Sequence, residues 1–540
     1  MNLRSCKGSC LLGMLLSLLP SVHHATAQVY PDFAWAAMGN SPSLSWGPST
    51  YSHGVAVDKA GNSFVTGEFR ESAQFGGTKL IGARNVFLAF YNPFGQLVWV
   101  RQSEGVLESI ANSVAVDPQG SAFLTGSFDG ICTFGGISLT NMADNYGNLF
   151  IAKYSKKGEV LWARQMGTTG DDEGEAIAVD GSGNALVTGV LNLTQFIAGY
   201  PETDPKLQRI YIAKYGADGE VIWEKKIGAN YFNVGLGVGV DDADNVYVTG
   251  HFQDTNLFGP NTISGHGMFL VKYDEAGNLI WVRQAQDASV AGMAVDNQGN
   301  IHLAGSFYSS ATFGTISLTG NTGVQNGFVA KHDTSGKALW AKAIRSSSAG
   351  SGGVYSQYVS PRSIAVDGAG NCYATGNFMN VAVFGTISLT NYITPDEASP
   401  NQDCFIAKYN SEGDFLWVRD VGRLGDEAGT GIAVDPQGNV DLTGTFGGVI
   451  TLGQTTLDAS GSGMFLTQLP ALYLTALDRP VRFGLVAESG RECVIEYSRD
   501  LTRWFGLVTN TMPASGFWEF NHGIISVPDQ LFYRARSLSP

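Results

Sequence analysis

The chain has 540 residues, 44% of them hydrophobic and only 15% charged, with 69 glycines and a formal net charge of −15. Sparse charge and abundant glycine favour many short strands joined by tight turns, and exclude a helix-rich or disordered chain. The negative balance argues against nucleic acid and anionic membranes as partners.

Residues 1–27 read as a secretory signal, with Arg4 and Lys7 at a basic start, an apolar run at 11–19 and a small-x-small site at Ala25-Thr26-Ala27. The run is too short to span a bilayer. The expectation is an exported chain whose mature part, from Gln28, does not insert into a membrane.

From 28 to 470 the chain repeats itself. Val114-Ala115-Val116-Asp117-Pro118-Gln119-Gly120 leads to Thr125-Gly126, and the pattern occurs seven times. Its Asp is Asp58, Asp117, Asp180, Asp241, Asp296, Asp367 and Asp435; nine positions on stand Gly67, Gly126, Gly189, Gly250, Gly305, Gly376 and Gly444. Before each Asp, large and small residues alternate with period two, as in Gly54-Val55-Ala56-Val57, which predicts a strand buried on both faces and closely approached on one. After it, Asp-x-x-Gly predicts a turn in which the carboxylate bonds nearby N–H groups. Such loops are read as structural turns and not as calcium loops, because most offer a single acid.

A second strand ends at Thr-Gly. A third follows a connection of variable length, as in Ile210-Tyr211-Ile212-Ala213-Lys214-Tyr215, and a fourth carries Trp eight residues after the Tyr position at Trp99, Trp162, Trp223, Trp281, Trp340 and Trp417. Seven units of four antiparallel strands describe an all-β fold, a seven-bladed β-propeller. The seventh unit lacks a Trp strand of its own; Phe33-Ala34-Trp35-Ala36-Ala37-Met38-Gly39 matches Leu161-Trp162-Ala163-Arg164-Gln165-Met166-Gly167 and is expected to close the last blade.

These residues resemble the SBBP family of seven-bladed propeller repeats found in secreted bacterial proteins, through the pattern I/V-A-V-D-x-x-G-N, T-G-x-F, F-I-A-K-Y and W over about 28–470. The resemblance implies export and assembly at a surface or outside the cell, with no common catalytic residues. The turn leading to Trp also looks like the tryptophan-docking repeats of quinoprotein propellers, which are packing elements and imply no quinone. Residues 471–540, with Glu496-Tyr497-Ser498 and Phe532-Tyr533-Arg534, look like a small C-terminal β module common in large secreted bacterial proteins. About six short strands in a sandwich are expected there. Cys132, Cys372, Cys404 and Cys493 are expected to be free thiols, since Cys372 and Cys404 fall toward opposite ends of neighbouring strands.

The second-to-third and fourth-to-first connections vary in length and emerge on one face, where binding is expected. Five positions before each Asp, near the channel mouth, stand His53, Asn112, Glu175, Leu236, Ala291, Arg362 and Thr430. His53, Asn112, Glu175 and Arg362 are candidate ligand-binding residues, with the bland alternative of a hydrated rim. Tyr355 and Tyr358, in the longest Trp-to-Asp loop, are candidates for stacking on a sugar or for packing the loop. Asp171-Asp172-Glu173 and Asp426-Glu427 are candidates for attracting a cation, with solvated turns the preferred reading. The chain has no His-x-His or His-Glu-x-x-His spacing and no Gly-x-Ser-x-Gly elbow between a strand and a helix. No cofactor and no metal site are expected. The reading is a secreted, non-enzymatic propeller serving as an interaction or cell-surface scaffold module, its partner a protein or a surface glycan. A glycan-binding propeller is the alternative, and a hydrolase or lyase with a site at the channel mouth the third.

Overall fold

The computed structural model describes residues 10–12, 32–41, 49–105, 107–141, 146–168, 170–192, 195–197, 200–202, 208–230, 232–346, 357–391, 401–422, 425–471, 473–478, 482–487, 490–498, 505–513, 517–521 and 532–538. All elements among these residues are strands. They form two compact units, one of Trp35–Pro436 with Asp441–Thr467, the other of Met1–Ala34, Gln437–Val440 and Gln468–Pro540.

In the larger unit each Asp motif opens a four-stranded antiparallel set. The second repeat is typical: Ser109–Val116, Ala122–Phe128, Asn148–Tyr154 and Val160–Met166 pair in that order. Leu279–Val295 serves two sets, pairing with His266–Tyr273 through its first half and with Ile301–Phe313 through its second. The seven opening strands touch their neighbours in a complete circle, the last, Ala428–Val434, lying against the first, Ser49–Val57. Small residues make that circle possible. A Cβ on Gly292 would stand 2.9 Å from Ser363 Cα, and one on Gly431 3.1 Å from Val55 N.

The Asp turns are built as the sequence implies. Asp180 Oδ1 accepts from the N–H groups of Ser182 and Asn184 at 3.0 and 2.9 Å. Its Oδ2 meets Lys214 Nζ of the third strand at 2.9 Å, both side chains buried. Lys153, Lys272, Lys331 and Lys408 face Asp117, Asp241, Asp296 and Asp367 in the same way. In the first set Phe90 occupies the lysine position, and Asp58 takes Lys156 of the next set at 2.8 Å.

The fourth-strand tryptophans dock onto the next set. Trp162 Nε1 donates to Ala217 O at 2.8 Å, and its ring covers Gly219, where a Cβ would fall 2.8 Å from it. Gly219 also has φ +84°, so this turn needs glycine for both conformation and space. Trp35 repeats the contact on the first set, donating to Pro93 O at 3.2 Å above Gly95. Its strand, Trp35–Asn40, adds to the third strand of the last set, and Thr467 Oγ1 donates to Trp35 O at 2.6 Å. The N-terminal strand thus completes the last set.

The long second-to-third connections carry a hairpin that the sequence reading passed over. Ile131–Phe134 with Ile137–Thr140, and Val381–Phe384 with Ile387–Thr390, are examples. Its Phe packs on a third-strand Phe with ring centroids 4.8 Å apart for Phe134–Phe150 and 5.0 Å for Phe384–Phe405. The hairpin also pairs with the outer strand of the preceding set, as Phe384 does with Ile344. Much of this connection is therefore interblade framework.

In the smaller unit, Tyr473–Asp478, Arg482–Val486 and Phe517–Asn521 form one sheet. Glu492–Ser498 lies between Phe505–Thr511 and Phe532–Ser537 in another. Of the expected signal segment only Cys10–Leu12 is among the described residues, pairing with Phe532–Ser537. Cys132, Cys372, Cys404 and Cys493 are free and buried. Cys372 pairs with Tyr409 and Cys404 with Asn377, at opposite ends of their two strands.

Two outcomes test this frame. Deleting residues 32–40 is expected to lower the melting temperature by several degrees; an unchanged melting temperature would contradict the closure. Gly126→Ala places a Cβ 1.9 Å from Ile110 O and is expected to cost about 2–4 kcal/mol in denaturant titrations. Gly77→Ala, with nothing within 4 Å, is expected to stay within about 0.5 kcal/mol of the parent.

Candidate functional site at the channel mouth

Six of the opening strands lose register at one place. The ladder skips from Ser52 to Gly54, Ala111 to Ser113, Gly174 to Ala176, Gly235 to Gly237, Val290 to Gly292 and Pro361 to Ser363. The skipped residues are His53, Asn112, Glu175, Leu236, Ala291 and Arg362, the positions five before each Asp. A bulge leaves its extra residue outside the ladder and re-aims its side chain. The partner strand supplies the Thr-Gly glycine beneath the bulge. A Cβ there would fall 1.9 Å from Tyr51 O at Gly67, 1.9 Å from Val234 O at Gly250 and 2.2 Å from Ala428 O at Gly444.

The candidate residues fall into two groups. On one side His53 is lowered below the usual imidazole range by burial, with Glu68 opposing and Arg84 and Arg362 adding to the effect. His53 and Arg362 belong to the first and sixth repeats, so their fields meet around the ring. Arg362 Nε donates to Asn377 Oδ1 at 2.9 Å, and Asn377 Nδ2 donates to Tyr358 Oη at 3.0 Å. Tyr358 Oη donates in turn to Gln402 Oε1 at 2.6 Å, so this tyrosine ties its strand to the neighbouring connection. Tyr355 lies outside the described residues. On the other side Asn112 Nδ2 donates to Glu173 Oε1 at 2.7 Å. Burial, then the charge of Glu173, pushes Glu175 up to about 8.

Next to this pair of glutamates a cleft of about 960 Å³ opens across the third to fifth repeats. Glu173, Glu175, His251, Ser289, Phe232 and Tyr308 are among the residues that line it. Ser289 Oγ and His251 Nε2 are 2.9 Å apart, and burial lowers His251 so that the imidazole is neutral near pH 7. At the rim His266 Nε2 meets Asp287 Oδ1 at 2.8 Å. The sequence shows Glu173 only as part of an acidic cluster and gives no sign of His251 or Ser289, because their partners come from different repeats. Glu173-Gly174-Glu175 was the legible signal, two acids on one short strand.

The acidic clusters correct the reading of solvated turns. Asp172 and Glu427 are fully buried. Asp172 accepts from Asn192 N at 2.8 Å and Thr168 Oγ1 at 3.0 Å, and burial pushes it up to about 6. Among the described residues neither carboxyl oxygen of Glu427 has a hydrogen-bond partner, and burial, with Asp403 and Asp426 behind it, pushes it up to about 8. They lie eight residues before Asp180 and Asp435, where other repeats carry Thr50, Ser109 or Asn233, also buried.

A family model described as a β-propeller repeat, SBBP, matches residues 47–68 and 161–190. The chain carries SBBP β-propeller repeats. The two SBBP matches take in the Trp162 strand, the turns at Asp58 and Asp180, and the glycines Gly67 and Gly189 beneath two of the bulges. An uncharacterized WD repeat-containing protein of Acanthamoeba polyphaga mimivirus is 23% identical over 452 residues, which is 68% of this chain and 31% of that protein. The chain thus spans about a third of that relative's length. Among solved structures, the Dos1 propeller superposes with a TM-score of 0.37 at 9% identity, over 77% of this chain and 92% of its own. Puromycin hydrolase gives 0.39 at 11% identity, over 86% of this chain and 62% of its own.

Glu427 gives a pH prediction. Its native pKa stands above the unfolded value, so the native carboxyl stays protonated where the unfolded one ionises, and stability is lost as pH rises between the two. Glu427→Gln is expected to gain roughly 1–3 kcal/mol over the parent near pH 9 and nothing near pH 4 in urea titrations. A gain independent of pH would contradict the assignment.

Proposed function

We propose that the chain is an exported, non-enzymatic β-propeller that acts as an interaction or cell-surface scaffold module, holding its partner on the face of the long connections. The signal-like pattern of residues 1–27 supports export. The observation that carries the binding reading is the cleft over the third to fifth repeats, where Glu173 and Glu175 converge beside exposed aromatic side chains on a rigid frame. Of the two partner classes, a surface glycan fits such a concave, polar and aromatic site better than a protein.

A second reading has its own observation. Ser289 and His251 stand as a nucleophile and base do at 2.9 Å, inside the same cleft. A hydrolase would use them.

Glycan-array binding by the full chain separates the two. Binding is expected, and Glu173→Gln combined with Glu175→Gln is expected to weaken it at least about tenfold at an unchanged melting temperature. Turnover of ester or lactone substrates that Ser289→Ala abolishes, with no glycan bound, would replace this reading with the enzymatic one.

A further inference from the structure

The cleft has a charge pattern that narrows its ligand. Glu173, Glu175 and Asp287 line it, and no lysine or arginine does among the described residues. Glu173 receives one amide hydrogen bond from Asn112, while Glu175 is shifted only by burial and by its neighbouring glutamate, with no hydrogen bond contributing. Asp287 has His266 beside it at 2.8 Å, but the two glutamates have no cationic partner among the described residues, and a concave, partly desolvated site of that kind favours a cation.

The walls narrow it further. Phe232 is 61% exposed and Tyr308 64% exposed, and both line the cleft. Phe232 holds φ +51°, a conformation bulky residues avoid and sustain only where the surroundings impose it. Exposed aromatic faces attract ammonium groups and cover the apolar C–H faces of sugar rings. Asn192, Gln208 and Gln253 add side-chain amides that can donate to and accept from hydroxyl groups. Phe232 precedes the fourth repeat's opening strand and Tyr308 lies on the fifth repeat's second strand, Ile301–Phe313, so the aromatic faces come from different repeats. An extended ligand of several rings suits that spacing better than a single small ion.

We propose that this cleft binds an oligosaccharide carrying free amino groups, an oligomer of a deacetylated hexosamine, with Glu173 and Glu175 receiving an ammonium group and Phe232 and Tyr308 covering sugar rings. This rests on the glycan-binding reading above and names the class of glycan. The remaining ionisable groups on the cleft are His251, His266, Asp287 and Tyr308. An ammonium group beside the two glutamates stabilises the ionised form of Glu175, which is otherwise held protonated up to about 8. Binding at mildly acidic pH, where the amine is already an ammonium group, therefore releases a proton from that carboxyl.

The test is isothermal titration calorimetry on the full chain with a glucosamine tetramer, its fully N-acetylated counterpart and a linear polyamine. Each titration is run at mildly acidic pH in two buffers of different ionisation heat. The glucosamine tetramer is expected to bind at least about tenfold tighter than the acetylated one, with net proton release. Glu175→Gln is expected to remove both the preference and the proton release. Phe232→Ala, far from the carboxyls in sequence and exposed, provides a second variant if Glu175→Gln fails to fold, and is expected to weaken the saccharide more than the polyamine. Equal or tighter binding of the acetylated tetramer would overturn the amino requirement, and equal binding of the polyamine would overturn the saccharide. Failure of all three probes while other array glycans bind and are lost in the double glutamine variant would overturn this inference and leave the glycan-binding module standing. No glycan binding of any kind would remove both.

Discussion

The structure depends on a steric conflict that glycine alone resolves. In every repeat the closing glycine of the second strand, which follows threonine in six repeats and Ala304 in the fifth, passes beneath a carbonyl oxygen of the opening strand, at 1.9 to 2.2 Å from where a Cβ would be. Six of the opening strands show the register skip that goes with this approach, each setting one residue outside the ladder. The threonine beside the glycine anchors the place from the other side. Thr125 Oγ1 donates to Phe150 O and Thr188 Oγ1 to Tyr211 O, each at 2.8 Å, so the second strand is held to the third just where the first departs from it. The residue thrown out of the ladder is the one five before Asp, and repetition of this defect forms a rim of such residues around the circle of opening strands.

Around that rim the repeats are interlocked. Tryptophan on glycine, hairpin on outer strand, and lysine on aspartate each join neighbouring strands or neighbouring sets. A frame held in so many places leaves function to the columns that do not repeat. The cleft is lined by one column, Glu173, Val234 and Ser289, and by another, Val190, His251 and Ser306, taken from consecutive repeats. Elsewhere the first of these columns holds Tyr51, Ile110, Ser360 and Ala428, so its carboxylate, Glu173, is particular to this arc. On that arc the bulge positions of the fourth and fifth repeats are Leu236 and Ala291, which carry no charge to compete with Glu175.

Much of this was legible in the sequence. The alternation before each Asp, the Asp-x-x-Gly turn and the eight-residue step to Trp are local signals, and local geometry follows from them. Trp35 was legible as a closing strand because its neighbours copy those of Trp162. The bulge was not, because a skipped residue is defined by its partner strand and not by its own neighbours. The hairpin was read only as length variation, although Ile-Ser-Leu-Thr recurs unchanged at Ile137–Thr140, Ile316–Thr319 and Ile387–Thr390. Asp172 and Glu427 looked like solvated acids because charge was weighed without their column, where Thr50, Ser109 and Asn233 mark a buried place. The Ser289–His251 contact joins two repeats and leaves no trace in either.

The most direct test of the account is a crystal structure at a resolution that places the carbonyl oxygens of the opening strands. The account predicts that His53, Asn112, Glu175, Leu236, Ala291 and Arg362 each stand outside the ladder at the rim of the channel, with Tyr51, Ile110, Glu173, Val234, Ser289 and Ser360 directing their carbonyls onto the closing glycines. Opening strands in unbroken register, with those side chains packed between sheets, would contradict it.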